Sequence, residues 1–196
     1  MTQLAEHSLA KLLKAKTHET HDRLDAAIMA ADPFSSIPGY GRFLEMQYLF
    51  HRDIAALYAN PMLQTLLPGL AGRQRLNLVL ADLQDIGLEP PRGHGEPVFA
   101  AGEAVDTPTA LGWLYVAEGS NMGAALLRKK VAELGMSDFN GARHLAPAPE
   151  GPAAHWRAFT AGLDAIELSG PEQARLVAGA EAAFERVWAF AHARFG

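Results

Sequence analysis

The sequence predicts a single all-α domain spanning residues 1–196. Apolar residues recur at helical spacing along most of the chain, and the apolar–polar alternation of strands is nearly absent. Proline and glycine gather at a few points that divide the chain into helix-length pieces. With 49% hydrophobic residues there is enough apolar material for a sizeable core. No internal repeat and no independent linker interrupts this pattern.

The first helix is expected from Leu4 to about Ala31, stopped by Asp32, Pro33 and the run Ser35-Ser36-Ile37-Pro38-Gly39. The second runs from Tyr40 to Tyr58, and Pro61 opens a short helical piece. Pro68 and Gly69 separate that piece from a helix over Leu70–Ile86. The Pro- and Gly-rich stretch from Glu89 to Gly102 is a loop. Thr107 as N-cap and Pro108 in the first turn open a helix that ends near Gly135. Met136 to Gly151 is irregular, and two helices follow, over Pro152–Glu167 and Pro171–Arg194.

A net charge of −5 argues against a dedicated nucleic-acid binder. The chain has no cysteine, which removes disulfides, thiolate metal sites, iron–sulfur clusters and cysteine nucleophiles together and fits a reducing cytoplasm. No basic-then-apolar leader and no run of about 18 apolar residues is present, so a protein without a membrane span is expected. There is no nucleophile elbow around Ser120, and no phosphate-binding or dinucleotide glycine motif.

The fifth segment carries the main anomaly. Gly119 and Gly123 stand four residues apart inside a helical pattern, where each glycine costs roughly 1 kcal/mol relative to alanine. Sharing one face, they clear a stripe of side chains, either for close helix packing or for a flat ligand. Ser120 beside Gly119 makes a bend compatible with the pattern. Tyr115 lies one turn earlier on the same face.

On the first helix, Leu13, Thr17, His21, Leu24 and Ile28 form a stripe expected to face the core. His21 there is either a hydrogen-bonded core histidine or an axial ligand offering a neutral imidazole nitrogen. Lys14, seven residues earlier, returns to nearly the same face about 10 Å along the axis, within reach of an anionic group on such a ligand. On the second helix, Gln47 and His51 occupy inward positions, either bonding one another or anchoring water in a polar cavity. Trp156 reads as core packing with an indole N–H that needs an acceptor. Arg128, Lys129 and Lys130 suit the negative end of their helix without any ligand.

Four segments together resemble one family. Thr20-His21-Asp22-Arg23-Leu24-Asp25, Gln47-Tyr48-Leu49-Phe50-His51, the stretch from Gly112 to Ala125 and Gly141-Ala142-Arg143-His144-Leu145-Ala146-Pro147 are similar to bacterial heme oxygenases of the pathogen iron-acquisition type. Order and spacing agree over nearly the whole chain. The resemblance implies a helical bundle holding heme b between a proximal and a distal helix, with His21 as the iron ligand. Gly119, Ser120 and Gly123 would lie on the distal helix, leaving room for dioxygen. Gln47, His51 and Trp156 would belong to a distal water network that delivers protons. A histidine suits this chemistry better than a thiolate, which favours premature O–O cleavage.

The implied reaction consumes O2 and electrons from an external reductase of ferredoxin or flavin type. It opens heme, at once substrate and cofactor, to biliverdin, carbon monoxide and ferrous iron. In the relatives one group sets heme rotation with a lysine and a tyrosine that fall at Lys14 and Tyr115. A delta/beta-producing relative instead uses lysines that fall at Met29 and Lys130. Met29 cannot pair with a carboxylate, so the alpha isomer is expected, with Lys130 still available. A monomer is expected. Competing readings are a heme chaperone or store, a helical enzyme acting on a thiamin-like molecule (which in its usual form needs a cysteine), and a purely structural helical module. Iron acquisition and chromophore supply to a photoreceptor are alternative purposes.

Overall fold

The structure, a computed structural model, describes residues 8–196. Among these residues lie eight α-helices: α1 (Leu9–Ala30), α2 (Ile37–Tyr58), α3 (Pro61–Leu66), α4 (Leu76–Asp85), α5 (Thr107–Ser120), α6 (Ala124–Ala132), α7 (Pro152–Asp164) and α8 (Gly170–Phe195). Single 3-10 turns occur at Leu70–Arg73 and Arg143–Leu145. The described residues contain no strand, only isolated bridges from Ser137 to Asn140 and Gly141. No helix among them is long and apolar enough to cross a membrane.

Local chemistry sets the helix ends, and several differ from the sequence expectation. The expected start at Leu4 lies outside the described residues; Ser8 caps α1 by accepting the Lys11 N–H. α2 begins at Ile37 rather than Tyr40, because Ser36 accepts the Gly39 N–H and Pro38 fits the first turn, where no N–H is needed. Asp106, not Thr107, caps α5: its carboxylate accepts both the N–H and the hydroxyl of Thr109 and also meets Arg175. The helix expected over Leu70–Ile86 is two pieces, a 3-10 turn entered through Gly69 at φ 80° and α4 after an extended Gln74. The last two helices shift slightly, α7 ending at Asp164 and α8 running to Phe195.

The helix expected to run from Thr107 to Gly135 is broken. Ser120 Oγ donates to the Ala117 carbonyl at 2.7 Å. The next three N–H groups, of Asn121, Met122 and Gly123, bond carbonyls three residues back rather than four. A serine competing for the backbone and two glycines of poor helix propensity tighten the chain into a turn between α5 and α6.

Helix α8 is the support on which α1, α2 and α5 pack. Its closest approach is to α5, through Gly112 and Gly179. A Cβ on Gly112 would lie 2.6 Å from the Ala180 nitrogen, and one on Gly179 2.9 Å from the Thr109 Cα. Both neighbours are backbone, which cannot yield as a flexible side chain does. Around this contact the core is filled by Leu111, Leu114, Leu176, Ala180 and Ala183, all fully buried.

Gly112→Ala should therefore cost at least about 3 kcal/mol, the upper end of ordinary overpacking. Gly123→Ala, whose Cβ would meet only the Ser120 carbonyl at 3.7 Å, should be nearly neutral. Urea denaturation of the two variants checks this; equal stability would refute the assignment of Gly112 to packing.

Candidate active site

The first candidate residues lie on α1. Leu9, Leu13, Thr17 and Leu24 are buried as the stripe requires, but His21 is not. Its side chain is 52% exposed, with Nε2 3.3 Å from Asp25 Oδ2 and its ring 5.8 Å from that of Phe184 on α8. Helix geometry explains this departure from the expected core position. Each four-residue step drifts about 40°, so His21 stands about 80° around from Leu13, at the rim of the buried stripe. Lys14 falls within about 20° of His21 on that rim and is exposed. An imidazole at the edge of the core, with an ammonium two turns before it, is open to an external ligand.

The second candidate segment is the break between α5 and α6. Gly119 and Gly123 do not serve close helix packing, which falls instead to Gly112 and Gly179. A Cβ on Gly119 would meet Trp156 Cη2 at an ordinary 3.6 Å, and neither glycine needs a positive φ. Nothing in the protein demands glycine at these two places. Ser120 and Gly123 are exposed. Trp156, from α7, lies over this segment with its ring 5.4 Å from Tyr115 and 5.8 Å from Phe159. Lys130 is half-buried on α6, and Met29 on α1 is 38% exposed.

Behind the glycines is a polar network that sequence reasoning did not identify. Glu118, 2% exposed, accepts from Arg73 Nη1 at 2.8 Å and from the Tyr58 hydroxyl at 3.1 Å. His155 Nε2 lies 3.6 Å from the same carboxylate, and His155 Nδ1 contacts Glu150 at 2.7 Å. Burial and the adjacent Glu118 charge push the Tyr58 phenol well above its ordinary value, so it remains a donor. The available signal was Glu118 itself, an acid one residue before Gly119 in an otherwise apolar segment.

The loop over 141–147 is held to α4 by two carboxylates. Asp82, fully buried, accepts the N–H groups of Arg143 and His144 at 2.8 and 2.9 Å and contacts His144 Nδ1 at 2.7 Å. Asp85 accepts the Gly141 N–H and pairs with Arg143. Tyr40 donates to the Gly141 carbonyl at 2.6 Å. Gly141 takes φ +79°, a backbone state that side chains disfavour.

These contacts bury His144, close enough for its charge to act on His51. His51 Nδ1 and His144 Nε2 are both buried and have no protein partner, so Gln47, which is half-buried, does not satisfy that nitrogen of His51. A buried imidazole nitrogen left bare costs about 1–3 kcal/mol, so two such atoms mark a place that small polar molecules can fill. Burial, with His144 and Arg75 adding to it, pushes His51 down to about 3 from an ordinary 6.5. At neutral pH His51 is therefore a neutral imidazole, able to donate and accept one proton each.

The chain is all-helical among its described residues and carries a rim histidine, a glycine-cleared break between helices and a buried neutral histidine. Residues 7–192 match the family model described as heme oxygenase, and the chain belongs to that family. It is 41% identical over 191 residues to heme oxygenase PigA of Pseudomonas aeruginosa, spanning 95% of each sequence. The NO- and CO-bound heme oxygenase of Neisseria meningitidis is similar at 38% identity and TM-score 0.89, over 96% of this chain and 92% of that one. Heme oxygenase from Leptospira interrogans, at 20% identity and TM-score 0.75 over 94% of this chain and 98% of that one, shares the fold.

The depressed His51 has a signed consequence. Between pH 6.5 and 3 the unfolded chain takes a proton that native His51 refuses, so stability falls as pH drops through that window. The group should contribute a slope of up to about 1.4 kcal/mol per pH unit. Denaturant titrations at pH 7, 6 and 5 should show a shallower slope for His51→Gln; identical slopes would place the proton uptake elsewhere.

Proposed function

We propose that this chain cleaves heme with dioxygen and electrons from an external reductase, giving biliverdin, carbon monoxide and ferrous iron. The observation that carries the reading is the pair Gly119 and Gly123: close helix packing uses other glycines, so these two clear space for a ligand at the distal wall. Heme is the substrate, and its iron supplies oxygen activation when bound. Opening the macrocycle destroys the tetrapyrrole chelate, so iron release follows from the chemistry and supports iron acquisition as the purpose.

In this reading His21 is the axial ligand, supported by its exposed position at the rim of α1. Ser120, its hydroxyl turned back to the Ala117 carbonyl, leaves the distal wall small. Trp156 backs Gly119 and excludes bulk water. Gln47, His51 and the partnerless nitrogens of His51 and His144 supply a relay for protons through ordered solvent. Lys14 and Tyr115 anchor the heme propionates and set which meso carbon faces the oxygen; burial keeps the Tyr115 phenol protonated and a donor. Lys130 stands available on α6, but its delta/beta counterpart position holds Met29, which forms no ion pair, so the alpha isomer is the expected product.

The same reading takes 1–196 as one domain, supported by α8 at the end of the chain packing on α1, α2 and α5. It makes the protein a cytoplasmic monomer, supported by its cysteine-free composition and by the apolar faces consumed on α8. A ferredoxin or flavin reductase is the electron partner.

Heme added in equal amount should give a sharp Soret band that decays to a biliverdin spectrum with ascorbate or a reductase in air. A band that persists under every donor would make the protein a heme store. His21→Ala should lose the strong axial signature and normal turnover; unchanged spectrum and activity would move the ligand elsewhere, with His18 the first alternative. Chromatography of the product should show mainly the alpha isomer, and Lys14→Ala should mix the isomers. A mainly delta or beta product from the unsubstituted protein would overturn the propionate assignment.

A further inference from the structure

A groove of about 730 Å³ opens between the 3-10 turn before α4 and the loop over 138–150. Most of its charged side chains are tied to partners. Arg73 is neutralised by Glu118 at 2.8 Å and Arg143 by Asp82 and Asp85. On the acidic side, Asp138 is held by Arg128 and Glu150 by His155. Arg75 alone among these groove residues has no carboxylate within ion-pair distance.

Arg75 is nonetheless fixed in place. Its Nη1 donates to the carbonyls of His144 and Ala146, which uses both hydrogens of that nitrogen. Nε and Nη2 bond no protein acceptor among the described residues, and neither is sealed from solvent. What remains is a rigid two-pronged donor edge, the geometry that takes a carboxylate bidentately. The guanidinium is half-buried and burial works against its charge, so an anion there gains more than it would at an open surface. Pro68, Leu78, Pro147 and the 84% exposed ring of Phe139 supply apolar walls beside it.

We propose that this groove is a second ligand site, separate from the heme cleft, that binds a small monocarboxylate with an apolar or aromatic body through the Nε and Nη2 edge of Arg75. The carboxylate takes up the free donor edge of Arg75, and the apolar body covers Leu78 and Phe139. The proposal does not need heme to be bound, although Arg73 and His155 of the groove also reach Glu118 and the Arg75 charge acts on His51.

The test uses the full chain without heme and benzoate as the probe, with benzamide as a neutral isostere. Benzoate should shift the Arg75 side-chain Nε–H resonance saturably, and benzamide should not. Arg75→Lys, which keeps the charge but loses the fork, should weaken benzoate at least tenfold. Phe139→Asp, at an exposed position that leaves the core untouched, should weaken it severalfold by placing an anion on the groove wall. A benzoate shift that does not saturate, equal response to benzamide, or unchanged affinity in Phe139→Asp would overturn the proposal. Unchanged affinity in a folded Arg75→Lys would reduce the effect to an adventitious ion only. None of these readouts depends on ring cleavage, so failure here is distinguishable from failure of the heme assignment.

Discussion

The depth to which α5 sinks against α8 is the constraint on which the site depends. Two facing glycines, Gly112 and Gly179, let backbone meet backbone, and no other residue type fits either place. Because α1 packs on the same α8, the shared support fixes how the histidine-bearing helix stands relative to the glycine-broken one. The contact that seats α5 touches neither His21 nor Gly119.

Once α5 is seated, its one buried acid organises the segments packed around it. Arg73, Tyr58 and His155 surround Glu118, as a buried carboxylate must be paired or hydrogen-bonded. These partners come from α2, the 3-10 turn before α4 and α7, so one carboxylate ties four segments together. Asp82 does the same for the 141–147 loop and holds His144 in the core. After these ties, His51 Nδ1 and His144 Nε2 remain buried without a protein partner.

Much of the site was legible in the sequence because function there breaks local rules. Gly119 and Gly123 interrupt a helix, while Gln47 and His51 interrupt an apolar stripe, and both anomalies stand out against period alone. Two expectations failed for physical reasons that period does not record. His21 was assigned to the core because four-residue steps look collinear, yet their drift carries it to the rim. The glycine segment was expected to remain one helix, yet Ser120 and the two glycines together tighten it into a turn.

The sequence by itself determined the helical class, most helix boundaries, the residues that interrupt the apolar faces and the family those interruptions resemble. Tertiary structure decided which glycines pack and which stand clear, that Arg73 answers Glu118 across 45 residues, and that His144 answers Asp82 across 62. The reason is one of range. Helical period and capping are written within a few residues, whereas the partner of a buried charge and the space beside a glycine depend on segments that meet only when the chain has folded.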